Sequence, residues 1–253
     1  MTDVSATDHV PAAEEAPPSY TPDRLSAWNR NASEDTLRRL AADPDGSVRM
    51  GVAAHANTPG EVLARLASDS DCFVRWSVAE NSHADPRVLG MLAGDPEYMV
   101  RSAVARNPST PTEALVRLTR RHLLVRASVA RNPATPPALL DRLSRTYRYL
   151  PGETIIRGEV ARNPATPPAA LRRLARSWSR TLRAAVAGNP SAPPEALARL
   201  ARDRVPAVRR FAATHAGMPA AACAVLATDS DEFVREAAAG RPRSAAPSEG
   251  NEP

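Results

Sequence analysis

Residues Val100 to Leu118 read V-R-S-A-V-A-R-N-P-S-T-P-T-E-A-L-V-R-L, and variants of this stretch make up most of the chain. Self-similarity at a fixed period is the signature of a solenoid, in which each repeat packs only against its neighbours. The eight copies, aligned on the Val-Arg pair, begin at Val48, Val74, Val100, Val125, Ile156, Leu182, Val208 and Val234, with spacings of 26, 26, 25, 31, 26, 26 and 26 residues. The sequence therefore predicts one elongated repeat array over residues 24–240.

Each copy divides into two helical pieces. The first piece follows the pattern V-R-x-x-V-A-x-N, in which the two Val residues lie on one face and the Asn is predicted to be a left-handed C-cap. The second piece opens at Thr-Pro, where Thr is predicted to be the N-cap and Pro the first helical residue. Two Leu residues at a spacing of three, such as Leu115 and Leu118, supply its buried stripe. No segment has the pattern of a strand, so we expect an all-α solenoid of about eight two-helix repeats.

The two ends of the chain depart from the repeat. Residues 1–23 are rich in Ala, Pro and acidic side chains, and residues 241–253 are similarly polar, so both are predicted to be disordered tails. A degenerate copy begins at Arg24 and contains Trp28, Leu37 and Leu40. We interpret it as an N-terminal cap, because terminal repeats face water on one side.

A family resemblance is carried by V-A-R-N-P-A-T-P-P, which occurs at Val129–Pro137 and again at Val160–Pro168. The stretch resembles the leucine-rich repeat variant family, and the resemblance covers about residues 24–240. It implies a right-handed superhelix of alternating α- and 3₁₀-helices without a sheet, related in architecture to HEAT-like repeats. The best-known member of that family holds an iron–sulfur centre in an N-terminal cysteine cluster that this sequence lacks, so no cofactor is expected. Cys72 and Cys223, in different repeats, also fit neither a metal motif nor a disulfide framework.

Charge is segregated along the chain, although the net charge is only +5. Residues 1–100 contain 8 Arg and 16 acidic residues, whereas residues 101–183 contain 17 Arg and 4 acidic residues. All 33 basic residues are Arg, a composition typical of a GC-rich bacterial genome. The basic centre indicates an acidic partner, or the acidic N-terminal part of the same chain.

A second regular feature is an Asp three residues after the last Leu of the stripe, which in five repeats also lies five residues before the Val-Arg pair. These residues are Asp43, Asp69, Asp95, Asp203 and Asp229. We expect the Arg of each pair to bind these carboxylates or nearby loop carbonyls, forming a ladder that ties the repeats together. In the three central repeats Arg121, Thr146 and Ser177 replace the Asp. Arg126, Arg157 and Arg183 therefore lack the aspartate that precedes the pair elsewhere.

The seventh position of the first helix is Arg in three successive central repeats: Arg106, Arg131 and Arg162. The only insertion, five residues between Leu143 and Ile156, lies in the same region and contains Tyr and Arg, which are common at binding surfaces. The region is either a solvated charged face or a groove for an anionic partner. The predicted partner-binding residues are Arg106, Arg131, Arg162, Arg126, Arg157, Arg183, Tyr147, Arg148 and Tyr149.

Three functional classes fit these features. The favoured one is a non-catalytic scaffold that binds an acidic protein or peptide. A nucleic-acid binder is the alternative, although aromatic residues for base stacking are sparse. A DNA glycosylase on HEAT-like repeats is the third, with Glu159, Trp178 and Tyr147 as the residues to consider. No apolar run approaches the ~18 residues of a membrane span, so we expect no membrane partner and a cytoplasmic location.

Overall fold

The computed structural model describes residues 31–120, 122–145 and 152–240. Within these ranges the chain forms sixteen α-helices and no strand. The predicted tails at 1–23 and 241–253 lie outside the described residues, as do Trp28 and the insertion residues Tyr147, Arg148 and Tyr149.

The helices alternate between two layers. Those that carry the Val-Arg pair, called here the Val-Arg layer, are α2 (Gly46–Ala54), α4 (Cys72–Glu80), α6 (Tyr98–Arg106), α8 (Leu123–Arg131), α10 (Glu153–Arg162), α12 (Arg180–Ala187), α14 (Pro206–Ala213) and α16 (Glu232–Ala239). Those that carry the Leu stripe, called the Leu layer, are α1 (Glu34–Leu40), α3 (Gly60–Leu66), α5 (Pro86–Leu92), α7 (Thr112–Leu118), α9 (Pro137–Ser144), α11 (Pro168–Leu174), α13 (Pro194–Leu200) and α15 (Ala220–Ala227). Both layers are α-helical, so the layer of 3₁₀-helices implied by the resemblance is not observed in the described residues.

The core runs without interruption between the two layers. Val100, Val104, Leu115 and Leu118 have no exposed surface, and the equivalent residues of the other repeats are buried in the same way. Helices of seven to ten residues are too short to be stable alone, so packing against neighbouring repeats stabilises them. Helices of the Val-Arg layer contact each other more extensively than those of the Leu layer. The closer approach indicates that the Val-Arg layer forms the concave side of the solenoid.

The predicted caps between the two pieces are wrong. Asn107 has φ −68° and ψ 124°, an extended conformation and not a left-handed one. Thr110 is not an N-cap either, because α7 is preceded by Pro111, which makes no side-chain capping bond. Instead, the Thr110 hydroxyl donates to the carbonyl of Val104 at 2.5 Å. The threonine thereby adds a second donor to a carbonyl in the last turn of the preceding helix, which also accepts from the Asn107 N–H at 3.1 Å.

The Asn residues form a ladder that crosses every repeat boundary in the middle of the array. The Asn132 side-chain amide donates to the carbonyls of Ala105 and Asn107 at 2.8 and 2.9 Å, and its Oδ1 accepts from the Ala134 N–H at 2.8 Å. The same pair of donations is made by Asn81, Asn107, Asn163 and Asn189. His215 ends the ladder, with its Nε2 2.8 Å from the Asn189 carbonyl. These side chains therefore join repeats and are not local caps.

The insertion leaves this ladder intact. Asn163 still reaches the carbonyls of Ala130 and Asn132, both at 2.8 Å, although the sequence separations rise to 33 and 31 residues. The chain re-enters α10 through Gly152, which has φ +89°. A Cβ at Gly152 would lie 2.3 Å from Leu123 Cδ2, so both the backbone conformation and the close approach require glycine here.

The predicted Arg ladder is present, but four of its Arg side chains bind the Asp side chain of the following repeat and not a preceding one. Arg49 binds Asp69 of the following repeat through Nε–Oδ2 at 2.7 Å and Nη2–Oδ1 at 2.9 Å, while its Nη1 donates to the carbonyl of Asp43. The same forward pairing, twenty residues downstream, joins Arg75 to Asp95, Arg183 to Asp203 and Arg209 to Asp229. The expectation that Arg183 lacks an aspartate is therefore wrong, since its partner follows it and does not precede it.

Candidate functional site

The exposed face of the Val-Arg layer carries a row of large apolar side chains. Leu124 and Ile155, at the same repeat position, are 46% and 49% exposed, and Phe73 and Tyr98 continue the row on α4 and α6. Trp76 and Met99 lie beside them, partly buried. Exposed apolar patches of this kind are uncommon on folded monomeric proteins. The sequence analysis missed this row, although the residue directly before the Val-Arg pair is large and apolar in four successive repeats.

A groove of about 330 Å³ that crosses α4, α6, α8 and α10 is lined by five of these side chains, Trp76, Tyr98, Met99, Leu124 and Ile155. Phe73 is not part of its lining. Arg106, Arg131 and Glu159 form its polar border. A shallower depression of about 430 Å³ continues past Arg131 and Glu159 to Arg162. The predicted row of position-7 Arg residues is therefore brought together along one side of an apolar groove, which we call the central groove.

The three position-7 Arg residues are partnered by glutamates. Arg106 pairs with Glu80 of the preceding repeat. Arg131 binds Glu159 through two bonds, Nε–Oε2 and Nη2–Oε1, both at 3.1 Å, and Arg162 Nη1 lies 3.6 Å from Glu159 Oε1. The hydrogen bond and the charge of Glu159 raise the pKa of Arg131 above its ordinary value. The border of the central groove is thus a mixed ionic network with three cations and two anions.

Glu159 organises that network. Its side chain is only 12% exposed, whereas Arg131 and Arg162 are 67% and 56% exposed. An inner carboxylate beneath two outer guanidinium groups holds their positions while leaving their remaining N–H donors toward solvent. The arrangement can bind an acidic group through Arg131 and Arg162, and Glu159 limits the net positive charge there.

The other predicted Arg residues lie on a different surface. Arg126 and Arg131 are five residues apart on α8, so their side chains leave the helix in directions about 140° apart around its axis. Arg183 is 6% exposed and bound to Asp203. Arg126 and Arg157 also have polar or electrostatic partners. Arg126, Arg157 and Arg183 occupy the repeat position of the Arg ladder, and we call the side of the array that carries this ladder the Arg ladder edge. The prediction that they share one surface with the position-7 Arg residues is therefore wrong. Whether Tyr147, Arg148 and Tyr149 join the groove stays a prediction, because they lie outside the described residues.

Two of the residues considered for an enzyme, Glu159 and Trp178, do not meet, and the third, Tyr147, lies outside the described residues. Glu159 lines the central groove, whereas Trp178 lines a separate cleft beside Asp203. In the described ranges, no group of three or more His, Cys, Asp and Glu side chains is placed to hold a metal ion. Cys72 and Cys223 are free thiols in a half-buried setting. No helix in the described part of the chain is long and apolar enough to cross a membrane.

Comparison with known proteins agrees with this architecture. A model of the Leucine Rich Repeat Variant domain matches residues 101–148 and 157–216, and a second model, Leucine rich repeat variant, matches residues 47–71. Together the two cover just over half of the chain. No curated protein matches the sequence.

One solved structure gives the same result. A structure described as a leucine-rich repeat variant with a novel repetitive structural motif is 28% identical, with a TM-score of 0.55, over 87% of this chain and 82% of that chain. An engineered protein is also similar, at 17% identity and a TM-score of 0.38, over 86% of this chain and 82% of its own. The repeated motif, the two family models and the leucine-rich repeat variant structure lead to one conclusion: the chain belongs to the leucine-rich repeat variant family.

Proposed function

We propose that the protein is a non-catalytic scaffold whose central groove binds a segment of an acidic partner protein. One observation carries the proposal, namely a row of large apolar side chains directly before the Val-Arg pair in four successive helices. These residues are Phe73, Met99, Leu124 and Ile155, of which all but the partly buried Met99 are exposed. Exposed apolar side chains cost solubility, and patches of them on folded proteins serve contact with other proteins. A concave solenoid face is also the surface that repeat proteins use for extended partners.

The chemistry of the groove favours a segment with both apolar and acidic side chains. Leu124, Ile155 and Tyr98 offer buried contact area to apolar groups. Arg131 and Arg162 lie at the border with donors free for carboxylates, because Glu159 occupies only one edge of each guanidinium. Nucleic acid is the alternative ligand for this surface, but it carries a negative charge at every phosphate, whereas a peptide can place apolar side chains beside the two glutamates at the border.

A non-catalytic role fits the position of the one carboxylate that lines the central groove. Glu159 accepts two bonds from Arg131 and a contact from Arg162, so it acts as an anchor for these side chains. General acid–base catalysis requires instead a carboxyl group within hydrogen-bonding reach of substrate.

The experiment is affinity capture from the native host with the full chain, followed by measurement of the identified partner's dissociation constant. Leu124→Ser with Ile155→Ser should weaken binding by roughly a hundredfold, since two anchoring side chains are lost. Met91→Ser is the matched control, because Met91 is equally exposed but lies in the Leu layer. Equal binding by the groove variant and the control would place the interface elsewhere. A steep log–log dependence of affinity on salt would identify the partner as nucleic acid.

A further inference from the structure

A second cleft lies at the Arg ladder edge, away from the central groove. It has a volume of about 640 Å³ and is lined by the loop that joins α11 to α12 and by residues at the end of α13 and beyond it. Its volume falls within the ~300–1,000 Å³ range of small-molecule sites. Trp178 stands at its edge and is 77% exposed, more than any other large apolar side chain that the structure describes.

The backbone at Trp178 is held by Arg183, a member of the Arg ladder. Arg183 Nη1 donates to the carbonyls of Ser177 and Trp178 at 2.9 and 3.0 Å, while its Nε and Nη2 bind Asp203 at 2.5 and 3.0 Å. Because Arg183 is 6% exposed, the loop is fixed by a buried group. The indole is therefore presented to solvent by a rigid support.

The cleft is strongly cationic. Arg176, Arg199, Arg202 and Arg204 line it and are all exposed. The single carboxylate in the lining, Asp203, is already bound by Arg183 and by the Val205 N–H. Among the described residues no carboxylate forms an ion pair with any of these four Arg residues. This distinguishes the cleft from the central groove, where glutamates partner each position-7 Arg.

We propose that this cleft, the Trp178 cleft, binds the phosphate and base of a nucleotide. Guanidinium groups bind phosphate oxygens in a bidentate manner, and an exposed indole stacks on a planar base. An acidic peptide would use the Arg residues but would leave the indole face without a partner. The nucleotide is either free in solution or part of a single strand of nucleic acid, and both sources present the same chemistry.

The test uses the full chain with two probes, a fluorescently labelled short oligothymidylate and AMP. Trp178→Ala, and separately Arg202→Glu with Arg204→Glu, should each weaken binding by roughly tenfold or more. Arg87→Glu with Arg117→Glu is the control, because it changes the net charge equally at exposed residues outside the cleft. The control should bind within about twofold of the parent protein. Circular dichroism of each variant checks that the solenoid is folded.

The two probes separate the sources. Binding of the oligonucleotide alone, with a salt dependence that is reduced in the Arg202/Arg204 variant, assigns the cleft to single-stranded nucleic acid. Quenching of tryptophan emission by AMP, abolished in Trp178→Ala, assigns it to a free nucleotide. The proposal is overturned if neither probe binds at low salt, or if the control pair loses as much affinity as the cleft pair. Because Leu124 and Ile155 lie outside the cleft, their variants keep nucleotide binding, and this result does not depend on the proposed scaffold function.

Discussion

Arg183 binds Asp203 of the next repeat through two parallel bonds, Nε–Oδ2 at 2.5 Å and Nη2–Oδ1 at 3.0 Å. Both side chains are buried. A third guanidinium nitrogen, Nη1, binds the loop carbonyls of its own repeat. One buried residue thus connects a helix, the loop before it and the loop of the following repeat, and four such connections occur in the described chain.

Replacing Asp203 with Ala should lower the free energy of unfolding by about 3–5 kcal/mol, because the buried Arg183 charge loses its partner. The double variant Arg183→Met with Asp203→Leu should be closer to the parent in stability, since it leaves no uncompensated charge. Urea unfolding of both proteins measures the difference. Equal destabilisation by the single and double variants would show that loss of packing, and not burial of charge, dominates.

Replacing Asn132 with Ala should lower the free energy of unfolding by roughly 3 kcal/mol. The side chain makes three hydrogen bonds and Asn132 is 1% exposed. Without it, the Ala105 and Asn107 carbonyls of the previous repeat lose the amide donor, and the Asn107 carbonyl keeps the Thr110 N–H at 3.1 Å. Asn132→Asp keeps the acceptor but removes both donors, and it should be at least as destabilising. Asn57→Ala, at an exposed position, is the control and should change stability little. Circular dichroism measures the thermal unfolding of each variant. Melting of both Asn132 variants at the temperature of the parent would contradict the prediction.

Acid should destabilise the array through the ladder carboxylates. The hydrogen bond from Arg49 lowers the pKa of Asp69, and that from Arg209 lowers the pKa of Asp229. Burial acts to raise the pKa of Asp203, but hydrogen bonds from Arg183 and from the Val205 N–H outweigh it, so this pKa is lowered too. A carboxyl group whose pKa is lower in the folded state than in the unfolded state stabilises the folded state at pH values above the unfolded pKa of ~3.9. This contribution to stability is lost as the pH falls through the folded pKa. These carboxylates should therefore leave the free energy of unfolding constant near neutral pH. At pH values below about 4 the free energy of unfolding should decrease.

The control for the acid effect is Asp203→Ala. Between about pH 6 and about pH 3, the window that spans the ordinary Asp pKa, the variant should lose less stability than the parent, because one titrating carboxyl is gone. An identical pH dependence in the variant and the parent would assign acid sensitivity to other groups.

Replacing Glu159 with Gln should strengthen binding of an acidic partner to the central groove by roughly fivefold, or ~1 kcal/mol. The change removes the carboxylate that partners Arg131 and Arg162, and thus releases two guanidinium groups for the ligand. Glu80→Gln is a milder counterpart, since Glu80 partners only Arg106. Titration calorimetry with the captured partner measures both. Weaker binding by Glu159→Gln would show that positioning of Arg131 by the carboxylate matters more than net charge.

Much of the central groove could not be predicted from the sequence. The row of Arg106, Arg131 and Arg162 was visible because these residues share one repeat position. The pairing of Arg106 with Glu80 and of Arg131 with Glu159 was not, since these two glutamates occupy different repeat positions and meet those Arg residues across a repeat boundary. The apolar floor was overlooked for a related reason: a large side chain beside the buried Val of a short helix can point into the core or into solvent, and the repeat pattern alone does not separate the two.

The sequence by itself determined the period, the two helical pieces of each repeat and the Val and Leu residues of the core, because these follow from helix periodicity within about ten residues. Only the tertiary structure decided which neighbour each polar side chain reaches. Arg49 reaches forward to Asp69, and Asn132 reaches back to Asn107. Such contacts depend on the distance and rotation between stacked repeats, which result from the packing of whole helices against each other and not from any local pattern.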